Sequence, residues 1–109
     1  MCAAFACVAL AGTACGVLSP EEQLLTEFFE ASKVYDTSVM ARLSAKPLNP
    51  RADGVIEAFE IEQIERLDEE RQMVTVAARV RRFDGQRASR QLVMTLTSRG
   101  GRWHIDDFR

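Results

Sequence analysis

The chain has 109 residues, a net charge of −2, 47% hydrophobic residues and 28% charged residues, which fits one folded domain and excludes global disorder. With no basic excess to neutralise phosphates, and one Trp and one Tyr for stacking, nucleic acid is excluded as a partner. Cys2, Cys7 and Cys15 all fall in the first stretch, so no thiol of the later chain can form a disulfide, hold a metal or attack a substrate.

Met1 to Gly16 carries no charge, and Ala3 to Ala11 is an apolar run. It suits the h-region of an export signal and is too short to span a bilayer as a mature helix. Leu10-Ala11-Gly12-Thr13-Ala14-Cys15 resembles the bacterial lipobox, with Gly12 where Leu is usual. The resemblance implies lipidation of the Cys15 thiol and a membrane tether. Cleavage after Ala11 or Ala14 would instead release a soluble exported protein, and an Ala-rich helix of a cytosolic protein is the bland alternative. Export to the bacterial cell envelope is expected, as a periplasmic protein or an anchored lipoprotein. Residues 1–18 then form the export segment and linker, and residues 19–109 the domain.

Ser19-Pro20-Glu21-Glu22 starts a helix. Ser19 caps free N–H groups, Pro20 suits the first helical position, and Glu22 completes a capping box. Leu25, Phe28, Phe29, Tyr35, Val39, Met40 and Leu43 recur at helical spacing, interrupted at Asp36-Thr37-Ser38. This pattern predicts one helix to about Tyr35 and a shorter one from Thr37 to Ser44. Lys46 to Gly54 contains two prolines and a glycine and reads as a loop.

Val55 to Arg66, Met73 to Phe83, Ser89 to Ser98 and Arg102 to Phe108 then read as strands, rich in Val, Ile, Thr, Phe and Trp. Short turns join them at Asp68 to Arg71, Asp84-Gly85 and Gly100-Gly101, giving a four-stranded antiparallel meander and an α+β fold. With Asp84-Gly85 as a two-residue tip, Ala77 faces Leu92, Thr75 faces Met94 and Met73 faces Leu96. With Gly100-Gly101 as the next tip, Leu96 faces Ile105 and Ser98 faces Trp103.

One face of that sheet collects Met73, Leu92, Met94, Leu96, Trp103 and Ile105, and the helices cover it. The other collects Phe59, Ile61, Val74, Val76, Val80, Val93 and Phe108, with Gln91, Thr95, Thr97 and Asp106 among them. One helical layer cannot cover both faces. Each buried Val or Phe is worth roughly 1.5–3 kcal/mol, so the second face is expected to dock a partner, most simply a second copy in a homodimer.

The order of elements, closing on Gly101-Arg102-Trp103-His104-Ile105-Asp106-Asp107-Phe108, resembles the NTF2-like superfamily with its cystatin-like α+β roll. The resemblance implies a curved sheet around the long helix, a cavity at one end and frequent dimerisation through the outer sheet face. Its isomerase-like and dehydratase-like enzymes hold an Asp or His acid/base inside the cavity. Here only His104, Asp106, Asp107 and Tyr35 offer themselves as weak candidates. His104 points away from the assigned core face, and Asp106 and Asp107 are strand neighbours on opposite faces, so they cannot form a dyad.

Glu57, Glu60, Glu62 and Glu65 crowd the first strand and Arg79, Arg81, Arg82, Arg87 and Arg90 the next two. Cross-strand ion pairs are expected there rather than a metal site. Pairing Glu60 with Arg79 conflicts with the face assignment unless the first strand holds a bulge. No catalytic set, metal or cofactor is expected. A non-catalytic exported interaction or ligand-binding module is the leading expectation. The alternatives are a small NTF2-like enzyme acting on an apolar molecule and a cystatin-like inhibitor, the latter without a Gly-rich wedge loop.

Overall fold

Ser19 Oγ accepts a hydrogen bond from the Glu22 amide at 3.1 Å while Glu22 Oε1 accepts one from the Ser19 amide at 3.2 Å, so the capping box is complete. The computed structural model describes residues 18–109, and the export segment with Cys15 lies outside the described residues. Helix α1 spans Pro20–Lys33, α2 Thr37–Leu43 and α3 Pro50–Asp53. Strands β1 Val55–Arg66, β2 Arg71–Arg81, β3 Arg87–Arg99 and β4 Arg102–Phe108 follow.

Helix α1 stops before Tyr35, which adopts a left-handed backbone with φ 51°. Asp36 then caps α2, its carboxylate accepting from the Val39 amide at 3.2 Å. The one-turn helix α3 stands where a loop is expected. Asn49 caps it through the Arg51 amide at 2.9 Å, Pro50 fills its first position and Gly54 ends it.

The sheet is antiparallel in the order β1-β2-β3-β4. The connection after α2 runs along the β4 edge, where the Ala45 amide donates to Ile105 O at 2.8 Å and Lys46 Nζ to Phe108 O at 2.8 Å. That leaves β1 as the free edge, and Glu60, Glu62 and Glu65 lie exposed along it, charges that discourage strand addition.

Register differs from expectation, and the β2–β3 hairpin is the main cause. Arg82 N donates to Gln86 O at 2.7 Å and Gly85 N to Arg82 O at 2.9 Å, closing the three-residue loop Phe83-Asp84-Gly85. Of the three only Gly85 has positive φ, the pattern of a type I turn followed by a glycine bulge. Against a two-residue tip, one extra residue slides β2 by one position, and a side-chain period of two then turns its side chains over. Val74 therefore faces Met94 and Val76 faces Leu92.

Bulges act the same way in the outer strands. Register shifts around Glu57 and Glu62 in β1 set Phe59 opposite Ala78 and Ile61 opposite Val76. A further shift, at Asp106 in β4, preserves the expected Leu96–Ile105 pairing but sets Phe108 opposite Met94. The first-strand bulge that the Glu60 conflict required is present, and Glu60 pairs with Ala77 rather than Arg79.

The two-sided sheet is accordingly corrected. Phe59, Ile61, Val74, Val76, Val80 and Phe108 belong to the core or pack against it, and of the proposed partner face only Val93 stays on the outer side, opposite Thr75. Met73, assigned to the core, is opposite Thr95 on that outer side. The outer face is otherwise mostly polar, with Thr75, Arg79, Gln91, Thr95 and Thr97. The apolar surplus that called for a second copy is met within one chain.

That core is continuous. The Phe28 ring sits 5.8 Å from both Phe29 and Phe108, and Phe29 sits 5.2 Å from Phe59, all tilted or edge-on. Leu25, Phe28, Met40, Leu92, Met94, Leu96 and Ile105 are buried between helices and sheet. Gln72, the buried polar residue of β2, donates to Glu21 Oε2 at 2.6 Å and pins the start of α1 to the start of β2.

Candidate functional site

The four weak acid/base candidates do not converge. Tyr35 is exposed in the α1–α2 turn. Asp107 is exposed at the β4 edge, 3.5 Å from Lys46 Nζ. His104, opposite Thr97, and the bulged Asp106 share the outer face, with His104 Nδ1 3.6 Å from Asp106 Oδ1. Thr97 Oγ1 donates to the Asp106 carboxylate, and Arg99 Nη2 lies 3.4 Å from it. His104 Nδ1 is buried without a hydrogen-bond partner among the described residues. None of the four candidates lines the groove beside α3 or those beside β1.

Between α1, α2 and the sheet the interior is packed. Phe28, Met40, Leu96 and Ile105 occupy that space, each at most 1% exposed. These four side chains leave no solvent-accessible gap beside them.

One groove runs between the start of α1 and β1, past Ser19, Glu22, Phe59 and Ile61, and another lies at the end of the molecule where α3 meets the β2–β3 hairpin. A groove of about 470 Å³ is lined there by Arg51, Asp53, Val80, Arg82, Phe83 and Arg90, among others. Arg90, opposite Ala78, falls on the helix side of the sheet, and Arg82 follows one residue past the end of β2. Gly54 seats α3 against β2, because a Cβ there would stand 2.4 Å from Val80 Cγ1. Arg51 lies over the Phe83 ring at 5.4 Å.

The charges around this groove are unevenly paired. Glu57, the bulged residue of β1, bonds Arg81 and Arg87 at 3.0 Å each. Those arginines are direct cross-strand partners, so the carboxylate offsets a like-charge contact. The Arg87 hydrogen bond, opposed by desolvation and reinforced by the Arg81 hydrogen bond, lowers the Glu57 pKa. Arg51, Arg79, Arg82 and Arg90 have no ion-pair partner among the described residues. Asp53 Oδ2 accepts from the Asn49 amide and Asp84 Oδ1 from the Gln86 amide, each at 3.0 Å.

The expectation of cross-strand pairing thus holds for Arg81 and Arg87 and fails for Arg79, Arg82 and Arg90. Arg51 and Phe83 were not singled out in the sequence. Their proximity depends on α3, whose only local signal was Asn49-Pro50 ahead of Gly54.

No family model matches the sequence, and no curated protein matches it. Similar solved structures include the following two. One is a SEC-C motif containing protein from Rhodopseudomonas palustris, at 16% identity and TM-score 0.63 over 81% of this chain and 76% of that one. The other is an NTF-2 like protein of unknown function from Shewanella oneidensis, at 19% identity and TM-score 0.57 over 81% of this chain and 97% of that one. Identities this low speak to architecture alone. That architecture, helices followed by a four-stranded antiparallel sheet, is the NTF2-like α+β fold.

Proposed function

We propose that this chain is a non-catalytic binding module of the bacterial cell envelope, exported by its N-terminal segment and tethered through Cys15. The observation that carries the binding half is the packed interior. Phe28, Met40, Leu96 and Ile105 close the space between the helices and the sheet, and on this reading recognition falls to the surface. Export and tethering rest on the uncharged apolar run and the small residues before Cys15.

Mass spectrometry of the protein from its native membrane fraction tests the tether. A mature N-terminus at lipid-modified Cys15 is expected. An intact Met1 form defeats export, and a soluble form starting at Gly12 or Cys15 without lipid defeats the anchor alone.

The enzyme alternative retains one observation, the unpartnered His104 Nδ1 beside Asp106. A structure with an apolar small molecule seated against His104 would favour it over the binding module.

A further inference from the structure

We propose that the groove between α3 and the β2–β3 hairpin binds a multiply charged oxyanion, phosphate or carboxylate, through the guanidinium groups of Arg51, Arg82 and Arg90. The proposal deepens the binding-module reading and rests on it for biological meaning, but it does not depend on export or on Cys15.

Charge is the first argument. Within a chain of net charge −2, the groove gathers Arg51, Arg82 and Arg90 without an ion-pair partner among the described residues. The nearby pair Arg81 and Arg87 shares one carboxylate, that of Glu57. The groove's own acids, Asp53 and Asp84, each accept one backbone amide through one oxygen, and the three arginines outnumber these two carboxylates. Arginines that line one groove without a carboxylate partner favour the entry of an anion. Arginine also presents a planar fork of donors that matches the two oxygens of a carboxylate or phosphate, and it is always charged.

Preorganisation is the second. Gly54 and Val80 fix α3 against the sheet, and Asn49 caps α3 through the Arg51 amide. Stacking on Phe83 limits the freedom of Arg51 while leaving the edge of its guanidinium free to donate. Arg82 and Arg90 rise from paired β-strands or their immediate end. A ligand arriving here has little left to order. The volume of about 470 Å³ falls within the usual range for small-molecule sites, and Phe83, 77% exposed, adds an apolar wall.

The test is an amide NMR titration of the full chain with sodium pyrophosphate and, separately, with citrate, ionic strength being held constant with sodium chloride. Saturable shifts confined to Arg51–Gly54 and Arg82–Arg90 are expected. Arg51→Gln, Arg82→Gln and Arg90→Gln should each weaken binding by roughly tenfold, the scale of one charge-assisted hydrogen bond. All three side chains are exposed, so these variants keep the fold. Arg102→Gln, outside the groove, should bind as the unaltered chain does.

Preference for pyrophosphate assigns a phosphate ligand, and preference for citrate a polycarboxylate. Shifts that never saturate, or unchanged affinity in the three variants, overturn the proposal. Saturable binding at another surface also overturns it while leaving the binding-module reading in place. Arginine-dependent sedimentation with anionic vesicles, without any response to pyrophosphate or citrate, overturns it in favour of a lipid surface.

Discussion

Val74 and Met94 face one another across β2 and β3, both fully buried in the core that the helices cover. The pairing places the apolar side of β2 inward, and the same logic places Met73 outward, opposite Thr95. Two methionines of one sheet therefore have opposite surroundings. Met94→Ala should cost about 2–5 kcal/mol of unfolding free energy in urea titration, and Met73→Ala about 1 kcal/mol or less. Equal costs would reverse the face assignment.

Two glycines hold the elements that shape the arginine groove, and their substitutions should differ in cost. Gly85 has φ 89° with open space around its Cβ position, so Gly85→Ala meets backbone strain alone, about 1–2 kcal/mol. Gly54 has φ 82° and would also drive a Cβ to 2.4 Å from Val80 Cγ1. Gly54→Ala should lower the urea midpoint further than Gly85→Ala and disturb the amide resonances of Arg51 and Val80.

Glu57 should give the fold an acid-sensitive contact. Its carboxyl titrates below the ordinary value of 4.5 because Arg87, and then Arg81, hydrogen-bond the charged form. A depressed folded pKa gives stability that is present above the unfolded value and lost as pH falls through the folded one. Urea midpoints of the unaltered chain should therefore fall as pH drops below about 4.5. In Glu57→Gln the fall should be shallower, with the part due to Asp68 remaining. Asp68 is also lowered, by the Glu70 amide and then Arg71. Parallel curves for the two proteins would show that the Glu57 fork contributes nothing.

Because each chain buries Val74, Val76, Val80 and Phe108 under its own helices, assembly is not needed to complete the core. The thermal midpoint should stay constant as protein concentration rises. A midpoint that climbs with concentration would mean that a second copy stabilises the fold.

Much of this architecture is legible from local chemistry. Ser19, Pro20 and Glu22 mark the start of α1, Asp36 separates α1 from α2, and the strands announce themselves by β-branched and aromatic residues. Gly100-Gly101, both at positive φ, make the tight turn that their sequence implies and give the correct Leu96–Ile105 pairing. Asp84-Gly85 misleads because the dipeptide fits two hairpins, a two-residue loop or the end of a three-residue loop, and only the second puts Val76 inside. Bulges at Glu57, Glu62 and Asp106 leave no local mark, since each is set by what the neighbouring strand and helices must cover. The arginine groove was illegible for the same reason. Arg51 lies far along the chain from Arg82 and Arg90, and the register decides which arginines meet a carboxylate.

Thiol accessibility tests most directly whether the sheet has one apolar side, roofed by its own chain. With Cys2, Cys7 and Cys15 replaced by Ser, a single cysteine is introduced as Val76→Cys or as Val93→Cys, and its reaction with a thiol reagent is followed under native conditions. Val76→Cys should react only as fast as the domain opens, and Val93→Cys markedly faster, on the native outer surface. Comparable rates at both positions, or the reverse order, would contradict the roofed sheet and the packed interior on which the proposed binding role rests.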